Sequence, residues 1–172
     1  TQSRRGPIYQ CFAKKLVAEG KAYPCFLTED EIAAIRAEQE AHKLTPGIYG
    51  KWARSRNLTL DEIREKLSSG MPYVIRLRSD GDMSLPEDQI KRFEIDDAIR
   101  GKISMPVNDQ DTVLLKANGI PTYHFAHVVD DHLMRTTHVV RGAEWLPSLH
   151  IHIELFEKLG REPPVYCHTA QL

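Results

Sequence analysis

From about residue 112 to the last residue, short apolar runs alternate with helical periods, and that order constrains the fold more than any other feature. "DTVLLKANGIPTY" reads as an apolar strand, an Asn-Gly turn and a proline. "YHFAHVVDDHLM" suits a helix, with Phe125, Val128 and Val129 towards a core and Tyr123, His127 and Asp131 sharing another face at i, i+4 spacing. "THVVRG" is a short strand, and "AEWLPSLHIHIELFEKLG" an amphipathic helix with Leu146, Leu149, Ile153, Phe156 and Leu159 on one stripe. Pro147 is tolerable only in that helix's first turn. "VYCHTAQL" begins another strand. Strand–helix–strand–helix–strand predicts a parallel α/β sheet, and such sheets bind ligands at the carboxyl ends of their strands. Arg141 and Glu144 stand at one such end.

The preceding two thirds are mixed. "IYQCFAKKLVAEG" predicts a helix burying Ile8, Cys11, Phe12 and Leu16 and stopping at Gly20, and "KAYPCFL" a short strand. Thr28 with Glu31, and Thr59 with Glu62, are capping boxes for two helices, running to about His42 and Gly70. The aperiodic "KLTPGIYGKWARSRN" between them reads as a loop. "PYVIRLRS" alternates, which predicts a strand whose Val74, Arg76 and Arg78 form a wet, basic face. "RFEIDDAIRGKISMP" reads as one or two strands around Gly101.

With 172 residues, 41% hydrophobic and 27% charged, the chain suits one globular domain, with or without an insertion. No stretch approaches the roughly 20 apolar residues of a membrane span, and "TQSRRGPIYQ" has no signal core. Cys11, Cys25 and Cys167 lie far apart, against a disulfide framework and in favour of a cytoplasmic setting. A formal net charge of −1 does not indicate a strongly basic nucleic-acid module. Local basic clusters exist at Arg4 and Arg5, at Lys51, Arg54 and Arg56, and at Arg76 and Arg78, each more readily read from composition as a solvated face.

"YHFAHVVDDH" looks at first like a metal site. On a helix, however, Asp130, Asp131 and His132 spread over about 200° and cannot converge, and His124 with His127 lacks the i, i+4 spacing of a helical zinc pair. Arg141, ending an apolar strand, suits bidentate recognition of a carboxylate or phosphate, or else a structural ion pair with an aspartate of the helix before it. Glu144 can serve the helix dipole or accept from a ligand hydroxyl or amine. Tyr123 and His127, one turn apart, can line a polar pocket or be satisfied buried side chains. The residues alone thus support an α/β domain with an anionic-ligand pocket.

"LLKANGIPTYHFAHVVDDHLMRTTHVVRGAEWLPSLHIHIELFEKLG" strongly resembles the glutamyl-tRNA synthetases, class I enzymes of the glutamyl/glutaminyl branch. "PTY", "VVDDHLM", "THVVRG" and "EWL" occur in the family's order and spacing. Upstream, "QSRRGPIYQCFAKKLVAEGKAYPCF", "RNLTLDEI" and "PYVIRLR" match as well; the resemblance covers essentially the whole chain and is weakest from about 79 to 110. It implies an α/β fold: the second half of a class I Rossmann-like nucleotide-binding fold with an inserted α+β acceptor-stem-binding subdomain. Residues 1–24 would end the first half of the catalytic domain, 25–110 form the insertion, and 111–172 the second half. The family's amino-acid pocket maps to Tyr123, His127 and Arg141, and its ATP contacts to Glu144, Trp145 and Leu172. Contacts to tRNA are expected from Arg5, Lys51, Arg54, Arg56, Arg76 and Asp131. Implied partners are L-glutamate, ATP as its Mg2+ complex and the acceptor end of tRNA(Glu), with glutamyl-adenylate as intermediate; a cytoplasmic monomer without membrane contact is expected.

Departures sharpen these expectations. The family's His-Ile-Gly-His and Lys-Met-Ser-Lys-Ser motifs are absent, so the chain reads as an internal fragment that does not aminoacylate alone. Some relatives bind zinc beginning with Cys-x-Cys after "AY"; here Cys25 is followed by Phe26 and Leu27, so no structural zinc or other metal is expected. His127 stands where most glutamyl enzymes carry asparagine and the glutaminyl branch carries histidine. Arg141 argues for glutamate, because neutral glutamine would leave a buried guanidinium unpaired. The rival readings are a glutaminyl enzyme, a shortened glutamylating paralogue, a non-catalytic tRNA acceptor-stem-binding module, and a His/Asp metallohydrolase.

Overall fold

The computed structural model describes residues 2–170, with side chains from residue 4. In chain order its elements are α1 (Gly6–Ala18), β1 (Ala22–Cys25), α2 (Glu29–Ala41), α3 (Leu60–Ser68), β2 (Val74–Leu77), β3 (Arg92–Asp97), β4 (Gly101–Pro106), β5 (Val113–Leu115), α4 (Tyr123–Met134), β6 (His138–Gly142), α5 (Leu149–Lys158) and β7 (Val165–Thr169). They form two compact units: residues 1–79 with 110–122, and residues 80–109 with 123–172. No helix among the described residues is long and apolar enough to cross a membrane.

The first unit is built on an antiparallel sheet in the order β1-β2-β5. Here β5 departs from expectation: it pairs with β2 (Ile75↔Leu115, Arg76↔Val113) instead of continuing a parallel sheet with β6 and β7. Alternation of apolar residues marks a strand but carries no information about its partner. Helix α1 packs on β1 and β5 through fully buried Tyr9, Ala13 and Leu16, whereas Ile8 and Cys11 are exposed. The stripe is rotated from the predicted one because Tyr9, ambiguous by hydropathy, buries its large ring. Both capping boxes form, with Thr28 accepting from the Glu31 N–H and Thr59 from the Glu62 N–H.

The segment expected to be a loop is ordered by 3-10 turns at Gly50–Trp52 and Arg54–Asn57. Ile48, Trp52 and Ala53 join Ile35 in a small core, and the Gln39 carboxamide clasps the backbone of Gly47 at 2.8 and 2.9 Å. Runs this short leave no periodic signature in sequence. The expected wet face of β2 is also corrected. Arg76 is only 9% exposed and donates to the Asp111 carbonyl at 2.8 Å, while Arg78 donates to the Arg56 carbonyl and covers the Tyr23 ring.

In the second unit, β3 and β4 form a hairpin turning before Gly101, whose φ of +73° suits glycine. Strands β6 and β7 are parallel, joined through α5 as a βαβ unit. The predicted long helix is instead a 3-10 stretch, Ala143–Ser148, followed by α5. Pro147 lies in the 3-10 stretch, where the N–H it lacks costs little. Phe125, Val128, Val129, Leu149, Leu155, Phe156 and Tyr166 form the core. The face of α5 goes beyond the predicted stripe: His152, Glu154 and Lys158 are buried too.

Candidate functional site

Parallel register is what builds the site. Arg141, near the carboxyl end of β6, lies opposite His168 of β7. The Arg141 Nε–H donates to His168 Nε2 at 2.9 Å, and its Nη1 lies 3.1 Å from His152 Nδ1 on α5. Its guanidinium covers the Tyr166 ring at 4.8 Å. The buried Nη2 has no hydrogen-bond partner, and Arg141 makes no salt bridge among the described residues. Burial pulls its pKa below the usual arginine value, opposed by Tyr166, Tyr123, Asp131 and Asp97.

A guanidinium can only donate, so it dictates the state of both imidazoles. His152 must offer a bare Nδ1 to Arg141 and therefore carries its proton on Nε2. That proton points at His124 Nδ1, 2.9 Å away. Burial first, then neighbouring His127 and Arg141, push the His152 pKa down to about 2, so the ring is neutral. On the other side His168 Nδ1 donates to Asp97 Oδ2 at 2.6 Å. An arginine held by two imidazole lone pairs keeps its charge uncompensated, which favours a bound anion.

Tyr123, His127 and Trp145 complete the wall. Tyr123, 51% exposed, stacks on His127 with ring centroids 5.8 Å apart and lies 4.9 Å from Trp145. His127 Nε2 faces Asp131 Oδ2 at 3.3 Å, without hydrogen-bond alignment. Burial holds the His127 pKa below its ordinary value despite the nearby carboxylate of Asp131. Glu144 is exposed, its carboxylate folded over the Cα of Gly142, where a Cβ would collide with it. Leu172 lies outside the described residues.

The structure thus brings Tyr123, His127, Arg141 and Trp145 together, with Asp131 turned towards His127. Sequence reading missed His152, His168 and Asp97. His152 lies one turn after buried Leu149 on α5, and His168 two residues after buried Tyr166 on β7, spacings that turn both imidazoles inward. No group of three or more His, Cys, Asp or Glu among the described residues is arranged to hold a metal.

The cations expected at tRNA separate into two kinds. Lys51, with its side chain 68% exposed, pairs with Glu38 at 2.7 Å and covers the Trp52 ring, and Arg54 is exposed. Arg56 is committed to the fully buried carboxylate of Asp111 and to Ser79, and Arg76 is buried as described. Arg5 lies over the Tyr9 ring.

The family model described as class I tRNA synthetases (E and Q), catalytic domain, matches residues 1–172. Glutamate–tRNA ligases from Acetivibrio thermocellus, Clostridium beijerinckii and Sorangium cellulosum are 61%, 53% and 51% identical over 171 residues. Each comparison covers 99% of this chain and 29–30% of the relative, so the chain spans about a third of the length of these proteins. A crystal structure of a glutamate tRNA ligase from Elizabethkingia meningosepticum, in complex with its amino acid, superposes with a TM-score of 0.86 at 37% identity, covering 99% of this chain and 34% of that one. A glutamate-tRNA synthetase structure from Elizabethkingia anophelis gives 0.84 at the same identity and coverage. With the family model spanning every residue, the chain belongs to the class I tRNA synthetases (E and Q) and carries sequence of their catalytic domain.

Proposed function

We propose that this chain is part of an enzyme that ligates glutamate to tRNA through glutamyl-adenylate. One observation carries the choice of amino acid: Arg141 presents a buried, unpartnered Nη2 and pairs with no carboxylate among the described residues. A glutamate side-chain carboxylate supplies the missing acceptor and charge. Neutral glutamine, which the E and Q family also admits, leaves that charge unpaired. The glutamate–tRNA ligase relatives support the same reading.

In this reaction the α-carboxylate of glutamate attacks the α-phosphate of ATP, expelling pyrophosphate. The terminal ribose hydroxyl of tRNA then takes the glutamyl group and releases AMP. Neither step demands a strong general base, so positioning and charge carry the rate. Tyr123 and His127 line the amino-acid pocket beside Arg141, and Glu144 with Trp145 meets the nucleotide. Leu172 belongs to the same nucleotide contact, and Mg2+ arrives with the triphosphate. Residues 25–110 act as the acceptor-stem insertion, between 1–24 and 111–172 of the Rossmann-like catalytic domain; these segments cut across the compact units because β5 folds with β1 and β2, and β3 with β4 packs on β7. Exposed Lys51 and Arg54 meet tRNA phosphates, with Arg5 and Asp131 as further contacts. Arg56 and Arg76 hold the fold beneath them.

In the full-length enzyme, Arg141→Ala removes one side of a buried charge-assisted contact, worth about 2–5 kcal/mol. The expected result is a loss of about 30-fold or more in kcat/KM for glutamate, with the KM for ATP little changed. Equal losses for glutamate and ATP would refute the assignment.

A further inference from the structure

We propose that Asp97, acting through His168, is a positioning residue for amino-acid selection: it locks the imidazole in the one tautomer that can hold Arg141. This rests on the reading of Arg141 as the glutamate-binding group. Asp97 ends β3, on a hairpin distant in sequence from the residues around Arg141, and its carboxylate is fully buried. Oδ1 accepts the backbone N–H groups of Ile99 and Arg100 at 3.0 and 2.9 Å. Oδ2 accepts from His168 Nδ1 at 2.6 Å and from its backbone N–H at 3.1 Å. The turn is itself tied to β7, with the Ala98 N–H bonded to the Tyr166 carbonyl and Arg100 Nε to the His168 carbonyl.

The logic is one of donors and acceptors. Arg141 Nε–H needs an acceptor at His168 Nε2, so the ring proton must sit on Nδ1, where only an acceptor can receive it. Burial raises the Asp97 pKa, but hydrogen bonds from His168, Arg100 and Ile99 outweigh this and hold it at about 2. It therefore stays an acceptor throughout the physiological range. Around Arg141 the remaining groups are neutral His152 on α5, the Tyr166 ring on β7, and Tyr123, His124, His127 and Asp131 on α4. None of these receives the Nε–H.

Asp97→Asn is nearly isosteric and reverses this logic. The backbone N–H groups of Ile99 and Arg100 claim the carboxamide oxygen at the Oδ1 position, where the His168 N–H also reaches it at 3.3 Å, so the amide NH2 faces His168 Nδ1. The ring proton then moves to Nε2, where it meets the Arg141 Nε–H donor to donor. Arg141 loses its acceptor and its fixed orientation. Leaving a buried donor unmet is expected to raise the glutamate KM about tenfold or more, while the ATP KM stays within about twofold. His168→Gln places a carboxamide oxygen near the former Nε2 and rescues Arg141; His168→Ala offers no acceptor.

The test has two arms. Nitrogen-15 NMR of the histidine rings in this chain should show His168 protonated at Nδ1, and at Nε2 after Asp97→Asn. Full-length kinetics should then rank the glutamate KM as Asp97→Asn and His168→Ala far above His168→Gln, with Asp97→Asn/His168→Gln close to His168→Gln alone. A wild-type His168 protonated at Nε2 overturns the relay. So does a double variant as impaired as Asp97→Asn, or equal defects in His168→Gln and His168→Ala. A glutamate KM indifferent to Arg141→Ala, with the tautomers as expected, overturns the glutamate reading and leaves the relay standing.

Discussion

Asp111 joins three separate segments of the first unit, and its removal tests how that unit is held together. Its carboxylate is fully buried. It accepts from the Tyr23 hydroxyl at 2.6 Å, from Arg56 Nε at 2.5 Å and again from Arg56 Nη2, and from the Ser79 N–H and hydroxyl at 3.0 and 2.8 Å. It thereby ties β1, the 3-10 turn before α3 and the end of β2 to one point. Asp111→Ala leaves a guanidinium whose side chain is only 23% exposed with Ser79 as its remaining partner, and strands the buried Tyr23 hydroxyl. Breaking a buried pair from one side costs about 3–5 kcal/mol; partial exposure of Arg56 discounts its share, and the Tyr23 and Ser79 donors add to it. We expect about 4 kcal/mol, a large fraction of the roughly 5–15 kcal/mol that a domain possesses. That corresponds to a Tm lower by about 8–16 °C. Urea unfolding followed by far-UV circular dichroism measures the loss. Arg56→Met should cost about 2 kcal/mol in the wild type, where Tyr23 and Ser79 still serve Asp111, and nearly nothing in Asp111→Ala. A loss below about 1 kcal/mol for Asp111→Ala, or an Arg56→Met cost that is the same in both backgrounds, would refute this account.

Two further outcomes follow from the same kind of reasoning. Burial raises the Glu154 pKa to about 7, against the pull of the Asn108 amide, Lys158 and the Asp80 N–H. The unfolded chain loses this proton near 4.5 and the folded chain near 7, so Glu154 contributes a stability that declines as pH rises between those values. Subtracting the unfolding free energies of Glu154→Gln from those of the wild type across that window should give a falling difference; a flat or rising one contradicts the assignment. Helix α3 buries none of its residues and leans on its capping box, with the Thr59 N–H bonded to Glu62 at 2.7 Å. Thr59→Ala should cost about 1 kcal/mol, read as roughly fivefold faster hydrogen exchange confined to α3; unchanged exchange there would dismiss the cap's role.

Local signals in the chain are read well where the physics is local. Both capping boxes, strand character around Gly101 and the α4 face of Phe125, Val128 and Val129 need only neighbours within a few residues. That Tyr123, His127 and Arg141 come near one another was also legible, because family motifs and the strand-end rule point to the same segment. The segment around Trp52 was not, since a core made from 3-10 turns has no period to detect. Nor was the state of Arg76: alternation assigns it a face and says nothing of the Asp111 carbonyl waiting there.

By itself, then, the sequence determined the family and the two capping boxes, and singled out Arg141 at a strand end. These depend on residue identity and on spacings shorter than one element. Only the tertiary structure decided that β5 joins β2, that Arg56 serves Asp111, and that Asp97 reaches Arg141 through His168. Each of those contacts joins residues far apart in the chain, and hydrogen-bond pairing at that range is chosen by strand register and by the demand of every buried donor for an acceptor.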